Sequence, residues 1–118
     1  RNYHIPGRYH PVQPIVVRKH PVFIQNTREY TVLYTKNFGI VTQIEVGACL
    51  VGRICNHHEA GVIRRGEEKG YFCFGGSTIV LLFKEGSVDI PQEVFDATSE
   101  GKEAIVKYGE AIGRKAGV

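Results

Sequence analysis

Two apolar, β-favouring runs, Gly70-Tyr71-Phe72-Cys73-Phe74 and Ile79-Val80-Leu81-Leu82-Phe83, flank a Gly75-Gly76-Ser77-Thr78 break. A strand interrupted by paired glycines marks a bulge or a close approach of two backbones. The serine sits at the break, and the chain on either side has little freedom except to be strand.

A serine directly after glycine has a chemical option. Its hydroxyl can attack the preceding carbonyl and convert the Gly76-Ser77 amide to an ester. Elimination then leaves a dehydroalanine, which hydrolyses to a pyruvoyl group and ammonia. Glycine suits the position before the break because it tolerates the unusual dihedrals of a strained turn. A ketone made in this way takes an amine as a Schiff base and serves as an electron sink, the role of pyridoxal phosphate elsewhere. Most such tetrapeptides in β proteins are bulges or turns, so the pattern by itself leaves both readings open.

At 118 residues the chain is one domain at most, with room for a modest core. It contains no apolar run of about 18 residues and no signal-peptide pattern, so no membrane span is expected. A start at Arg1 without methionine fits a fragment or a processed product. Residues 1–76 hold ten Lys/Arg against five Asp/Glu, and residues 77–118 hold five against seven, giving balances of +5 and −2. A mildly basic front half suits an anionic phospholipid surface as well as it suits plain solvation. No basic run interleaved with aromatics argues for nucleic acid.

Cys49, Cys55 and Cys73 form no C-x-x-C pair, and an odd count argues against a disulfide framework. Cys55-Asn56-His57-His58 lacks four ligands at usable spacing, so no metal site is assigned. Reduced, partly buried thiols are the expectation.

In chain order, the His-, Tyr- and Pro-rich opening reads as an irregular extended entry, with Pro14-Ile15-Val16-Val17 a short edge strand. The runs 29–35 and 40–46 alternate and are joined by Lys36-Asn37-Phe38-Gly39, a hairpin signal. Residues 47–54 read as a further strand, and 56–61 as a turn. Gly66 and Gly70 bracket the charged triplet Glu67-Glu68-Lys69, read as a solvated loop without chemistry. Pro91 to Asp96 reads as a connection. The spacing of Ile105, Tyr108 and Ile112 predicts a helix over 99–115, capped by Thr98 or Ser99 and packed on the sheet. The fold expected is mainly β, an antiparallel sheet or partly closed barrel with tight glycine turns and one C-terminal α-helix.

The stretch 66–83 closely resembles the processing-site region of phosphatidylserine decarboxylases, whose hallmark is Gly-Ser-Thr followed by an apolar strand. Further elements follow in that family's order: Ile5-Pro6-Gly7 with Val12-Gln13-Pro14, then Gln25-Asn26-Thr27-Arg28, Phe38-Gly39, Val46-Gly47-Ala48 with Leu50-Val51-Gly52, and the Gly101 to Arg114 segment. The similarity covers nearly all of the chain.

The resemblance implies self-cleavage between Gly76 and Ser77, with Ser77 becoming the pyruvoyl group that forms a Schiff base with substrate. Residues 1–76 would belong to the larger β chain and 77–118 would be the small α chain of a cleaved heterodimer, parts of one partial catalytic domain. The implied reaction is decarboxylation of phosphatidylserine to phosphatidylethanolamine by an enzyme peripheral to a cell or organellar membrane. Phospholipid is the expected partner, homo-oligomerisation is left open, and neither metal nor nucleic acid is expected. The family's aspartate and Tyr-His-Arg-x-His element, which help the serine attack, lie upstream of Ile-Pro-Gly and are not present before Arg1. A truncated parent, another chain or a degenerate homologue would each account for that. In the register set by Ile5-Pro6-Gly7 the family often has a hydroxyl residue close to the pocket where Pro11 stands, which makes the adjacent His10 a pocket candidate. The rival readings are a pyruvoyl decarboxylase of a soluble amino acid and a non-catalytic module that binds lipid or a partner.

Overall fold

The computed structural model describes residues 1–49, 53–73 and 77–117. The chain divides into two compact units, Arg1–Leu33 with Val41–Leu82, and Tyr34–Ile40 with Phe83–Val118. Its strands form antiparallel sheets that do not close into a barrel.

In the first unit, β1 (Asn2–Ile5) pairs antiparallel with β2 (Arg28–Thr35), Asn2 opposite Thr31 and Ile5 opposite Arg28. Tyr3 and Tyr30, directly opposed, stack with ring centroids 4.8 Å apart. This strand is a correction to the irregular entry that the prolines suggested, because all of them lie beyond it. β2 and β3 (Gly39–Val46) are the hairpin that the alternation predicts. Thr35 closes its turn by accepting from the Phe38 N–H at 3.0 Å and donating to the Gly39 carbonyl at 2.9 Å. Gly39 there has φ +69°, which a side chain would resist. With β6 (Thr78–Phe83) beside β3, the sheet order is β1-β2-β3-β6. A separate pair is built from β4 (Arg53–Asn56) and β5 (Gly70–Cys73), so only the end of the strand expected over 47–54 is strand among the described residues.

Pro14–Val17 is a helical turn, α1, and not the edge strand that its β-branched residues favour. Proline at the first helical position needs no N–H partner and is already set to helical φ, and the turn ends by the Arg18 N–H bonding to the Pro14 carbonyl at 3.1 Å. A second turn, α2 (Val22–Gln25), follows at once. Among the described residues the buried apolar side chains are Val22, Val41, Val46 and Ala48, beside the buried polar Asn26, Thr27, Thr31 and Glu45. With polar groups buried among them, the hydrogen bonds these make carry weight in the fold.

The second unit corrects the helix. The helix, α3, runs over Gln92–Ser99, where a connection was expected, and ends where one was expected to begin. Its end is a Schellman motif: the Lys102 N–H bonds to the Ala97 carbonyl at 2.8 Å and the Gly101 N–H to the Thr98 carbonyl at 3.0 Å, with Gly101 at φ +70°. Residues 102–113 are irregular, and Gly109 at φ +78° interrupts any helix there. Ile105, Tyr108 and Ile112 are therefore exposed instead of forming a packed stripe. β7 (Val88–Asp89) and β8 (Arg114–Lys115) pair antiparallel, and Phe83 meets Phe38 edge-on at 6.0 Å.

Candidate functional site

Ser77 immediately precedes β6, half-buried, and donates its hydroxyl hydrogen to the Val46 carbonyl at the end of β3. Sequence separation of 31 residues is bridged because β6 lies beside β3 in the sheet. Gly76, the other half of the expected cleavage site, lies outside the described residues, as do Gly75, Phe74 and Leu50-Val51-Gly52.

The chain at Val46 is held from behind by Asn26, which is fully buried. The Asn26 amide donates to the Gly47 carbonyl and to the His10 carbonyl, each at 2.8 Å, and its Oδ1 accepts from the His10 N–H at 3.0 Å. The Gly47 N–H in turn bonds to the Thr27 carbonyl at 2.8 Å. Thr27 is clamped to Gly7 on both sides: its Oγ1 accepts from the Gly7 N–H and donates to the Gly7 carbonyl, both at 3.0 Å. A Cβ on Gly7 would strike the Gln25 carbonyl and lie 2.7 Å from the Asn26 carbonyl carbon, so this crossing admits only glycine. Three segments far apart in sequence, around Gly7, Asn26 and Gly47, thus meet in one hydrogen-bonded knot that carries the acceptor of Ser77.

His10 is part of this knot through its backbone. Its ring stacks on His20 at 5.6 Å with planes 4° apart, and its Nε2 is buried without a partner among the described residues. Burying such a nitrogen costs about 1–3 kcal/mol unless a ligand or water meets it. That is compatible with a pocket position, but no hydrogen bond links the ring to Ser77 among the described residues.

A second polar assembly was missed in the sequence, where Lys69 read as part of a solvated loop. The Lys69 ammonium contacts Glu45 Oε1 at 2.5 Å and Asn56 Oδ1 at 2.6 Å, and only 19% of its side chain and 6% of that of Glu45 are exposed. Asn56 donates onward to Glu29 at 2.5 Å. β3, whose last residue accepts from Ser77, is thereby tied to Lys69, the residue immediately before β5, the strand leading into the break. Beside the ion pair lies a recess of about 100 Å³ whose lining includes Glu45, Lys69, Tyr71, Phe72 and Ile79. Glu67 and Glu68 remain at the surface, facing His58 and His57, as expected of the turn.

Cys55 and Cys73 stand 3.6 Å apart, sulfur to sulfur, on the neighbouring strands β4 and β5. The contact with Cys55 pushes both the Cys73 thiol and the Tyr71 hydroxyl above their ordinary pKa values, with burial adding to the effect.

Compared with known protein families, residues 1–114 match phosphatidylserine decarboxylase. The chain belongs to the phosphatidylserine decarboxylase family. It is 53% identical over 109 residues to phosphatidylserine decarboxylase proenzyme 2 of Clostridium acetobutylicum, an alignment covering 92% of this chain and 37% of that relative. The proenzyme of Ruminiclostridium cellulolyticum is 48% identical over 111 residues, again 92% and 37% of the two chains. That of Clostridium beijerinckii is 41% identical over 116 residues, 97% of this chain and 39% of its own. The chain therefore spans well under half the length of these curated relatives. No solved structure matches it. In this member of the family, the segments that carry the resemblance, around Ile5-Pro6-Gly7, Asn26-Thr27, Val46-Gly47 and Ser77, are the ones the hydrogen bonds draw together.

Proposed function

We propose that this chain carries the self-cleavage site of a phosphatidylserine decarboxylase, with Gly76-Ser77 as the bond cut and Ser77 as the pyruvoyl precursor. The observation that carries the reading is the Ser77 hydroxyl held on the Val46 carbonyl within the knot of family segments. The residues present fit the prosthetic group, because the serine from which it would form is half-buried, follows two glycines and has an oriented hydroxyl.

The Val46 carbonyl fixes the rotamer of Ser77 but is no base, and a serine hydroxyl at neutral pH is a weak nucleophile. Attack on the Gly76 carbonyl therefore calls for a proton acceptor, and the family's upstream histidine and aspartate are the groups assigned to that role. Asn26 and Thr27 keep the acceptor rigid while the bond is cut, so the geometry is pre-formed. A pyruvoyl group formed from Ser77 would supply a carbonyl able to take the headgroup amine and serve as an electron sink for loss of carbon dioxide. The substrate is phosphatidylserine, the product phosphatidylethanolamine, and the enzyme works at a membrane surface as a heterodimer of residues 1–76, with whatever precedes them, and 77–118. His10 lines the pocket in this reading. No helix among the described residues is long and apolar enough to cross a membrane.

One observation favours the second reading, a non-catalytic lipid- or partner-binding homologue: among the described residues no imidazole or carboxylate hydrogen-bonds Ser77. Denaturing intact-mass measurement on the full-length protein, with Ser77→Ala beside it, separates the two. Two fragments dividing at Gly76-Ser77, and loss of phosphatidylserine decarboxylation in the variant, support the enzyme. A single uncut mass with no activity leaves the homologue.

A further inference from the structure

The first 28 residues contain Arg1, Arg8, Arg18, Lys19 and Arg28 and three histidines, but no acidic residue at all; Glu29 is the first in the chain. Within that segment α1 and α2 fold into a small helical hairpin. The His20 N–H bonds to the Val16 carbonyl at 2.9 Å and the Gln25 N–H to the Pro21 carbonyl at 3.1 Å. Val22, fully buried, and Asn26 anchor it to the first unit. The remaining large side chains face outward: Ile15 is 63% exposed, Ile24 71% and Phe23 39%. Arg18, Lys19 and His20 lie between them in sequence and are exposed as well.

The hairpin thus carries exposed Ile15, the adjacent exposed cations Arg18 and Lys19, and exposed Phe23 and Ile24, with no carboxylate in the segment. Apolar tips with flanking Lys and Arg are the chemistry of a surface that enters the boundary between lipid headgroups and acyl chains. The charge has a matching partner in an anionic leaflet, where each cation near the surface strengthens attachment about fivefold. We infer that the α1–α2 hairpin is the element by which this chain engages an anionic lipid bilayer, with Ile15, Phe23 and Ile24 inserted and Arg18 and Lys19 on headgroup phosphates. The proposal rests on the lipid reading above only for the choice of partner. It adds the face that makes the contact.

The test is co-sedimentation of the full-length protein, carrying Ser77→Ala, with phosphatidylcholine vesicles that contain or lack phosphatidylglycerol. Neither lipid is a serine lipid and the variant does no chemistry, so the result is independent of decarboxylation. Binding should require phosphatidylglycerol and weaken as salt rises. It should fall about twentyfold in Arg18→Gln/Lys19→Gln and severalfold in Ile24→Ser, with the thermal midpoint unchanged in both. Equal binding by the variants would overturn the proposal. So would a lowered midpoint in Ile24→Ser, which would mean that another part of the protein covers the hairpin. Capture of an RNA oligonucleotide without vesicle binding would replace the partner and sink it too.

Discussion

The Ser77 hydroxyl bonds to the carbonyl of Val46, a residue that is itself fully buried and flanked by the backbone groups Asn26 holds. That hydroxyl is thus oriented by an acceptor that cannot move independently of the core. Ser77→Ala in the full-length protein should abolish cleavage and decarboxylation completely, yet lower stability by only about 1 kcal/mol, the usual net contribution of one hydrogen bond. Intact mass and thermal melting of the same sample check both halves.

Asn26→Ala behaves oppositely. It removes three hydrogen bonds and strands the His10 N–H and the His10 and Gly47 carbonyls, costing about 3 kcal/mol or more. Urea unfolding should show the loss, and cleavage at Gly76-Ser77 should slow. Asn26→Asp is no rescue, because an oxygen would face two carbonyls where the amide now donates.

The Glu45–Lys69 pair permits a sharper comparison. Lys69→Met leaves a nearly buried carboxylate without its cation and should cost about 3 kcal/mol, whereas Glu45→Leu with Lys69→Met should be close to neutral. A double-mutant cycle in urea measures this. If the single and double variants are equally unstable, the ion pair is not what joins β3 to β5.

Alkaline pH should loosen the β4–β5 pair. The Cys73 and Tyr71 protons are held more tightly in the fold than in the unfolded chain. Their contribution is therefore fully present below the ordinary thiol and phenol ranges and is lost as pH rises through the raised folded values. Urea midpoints should fall at alkaline pH, and Cys55→Ala, which removes the shared contact, should flatten that fall. At neutral pH, exposed Cys49 should alkylate faster than Cys73.

What the sequence revealed was local. The alternation of 29–35 and 40–46 dictated the hairpin, and the apolar runs around Ser77 dictated β5 and β6. The helix lies earlier than the 105/108/112 spacing suggests because Gly101, at φ +70°, is the left-handed stop of α3, and the apolar spacing beyond it starts from no surviving cap. Pro14 reads as the head of a short edge strand and instead starts a helical turn. Asn26 and Lys69 could not be singled out from composition, since one buried amide or one buried cation differs from a solvated one only in partners 13 to 24 residues away. The family motifs marked their neighbourhood, but not the bonds.

The position of β6 has one more implication. A cut before Ser77 would leave that strand as the leading edge of the smaller piece, still seated beside β3 of the larger. The Tyr34–Ile40 hairpin tip likewise belongs to the same compact unit as Phe83–Val118, on the other side of the cut. Maturation would then rewrite the covalent map of the protein while the two pieces stay interwoven, so that neither is a free-standing subunit and only unfolding would part them.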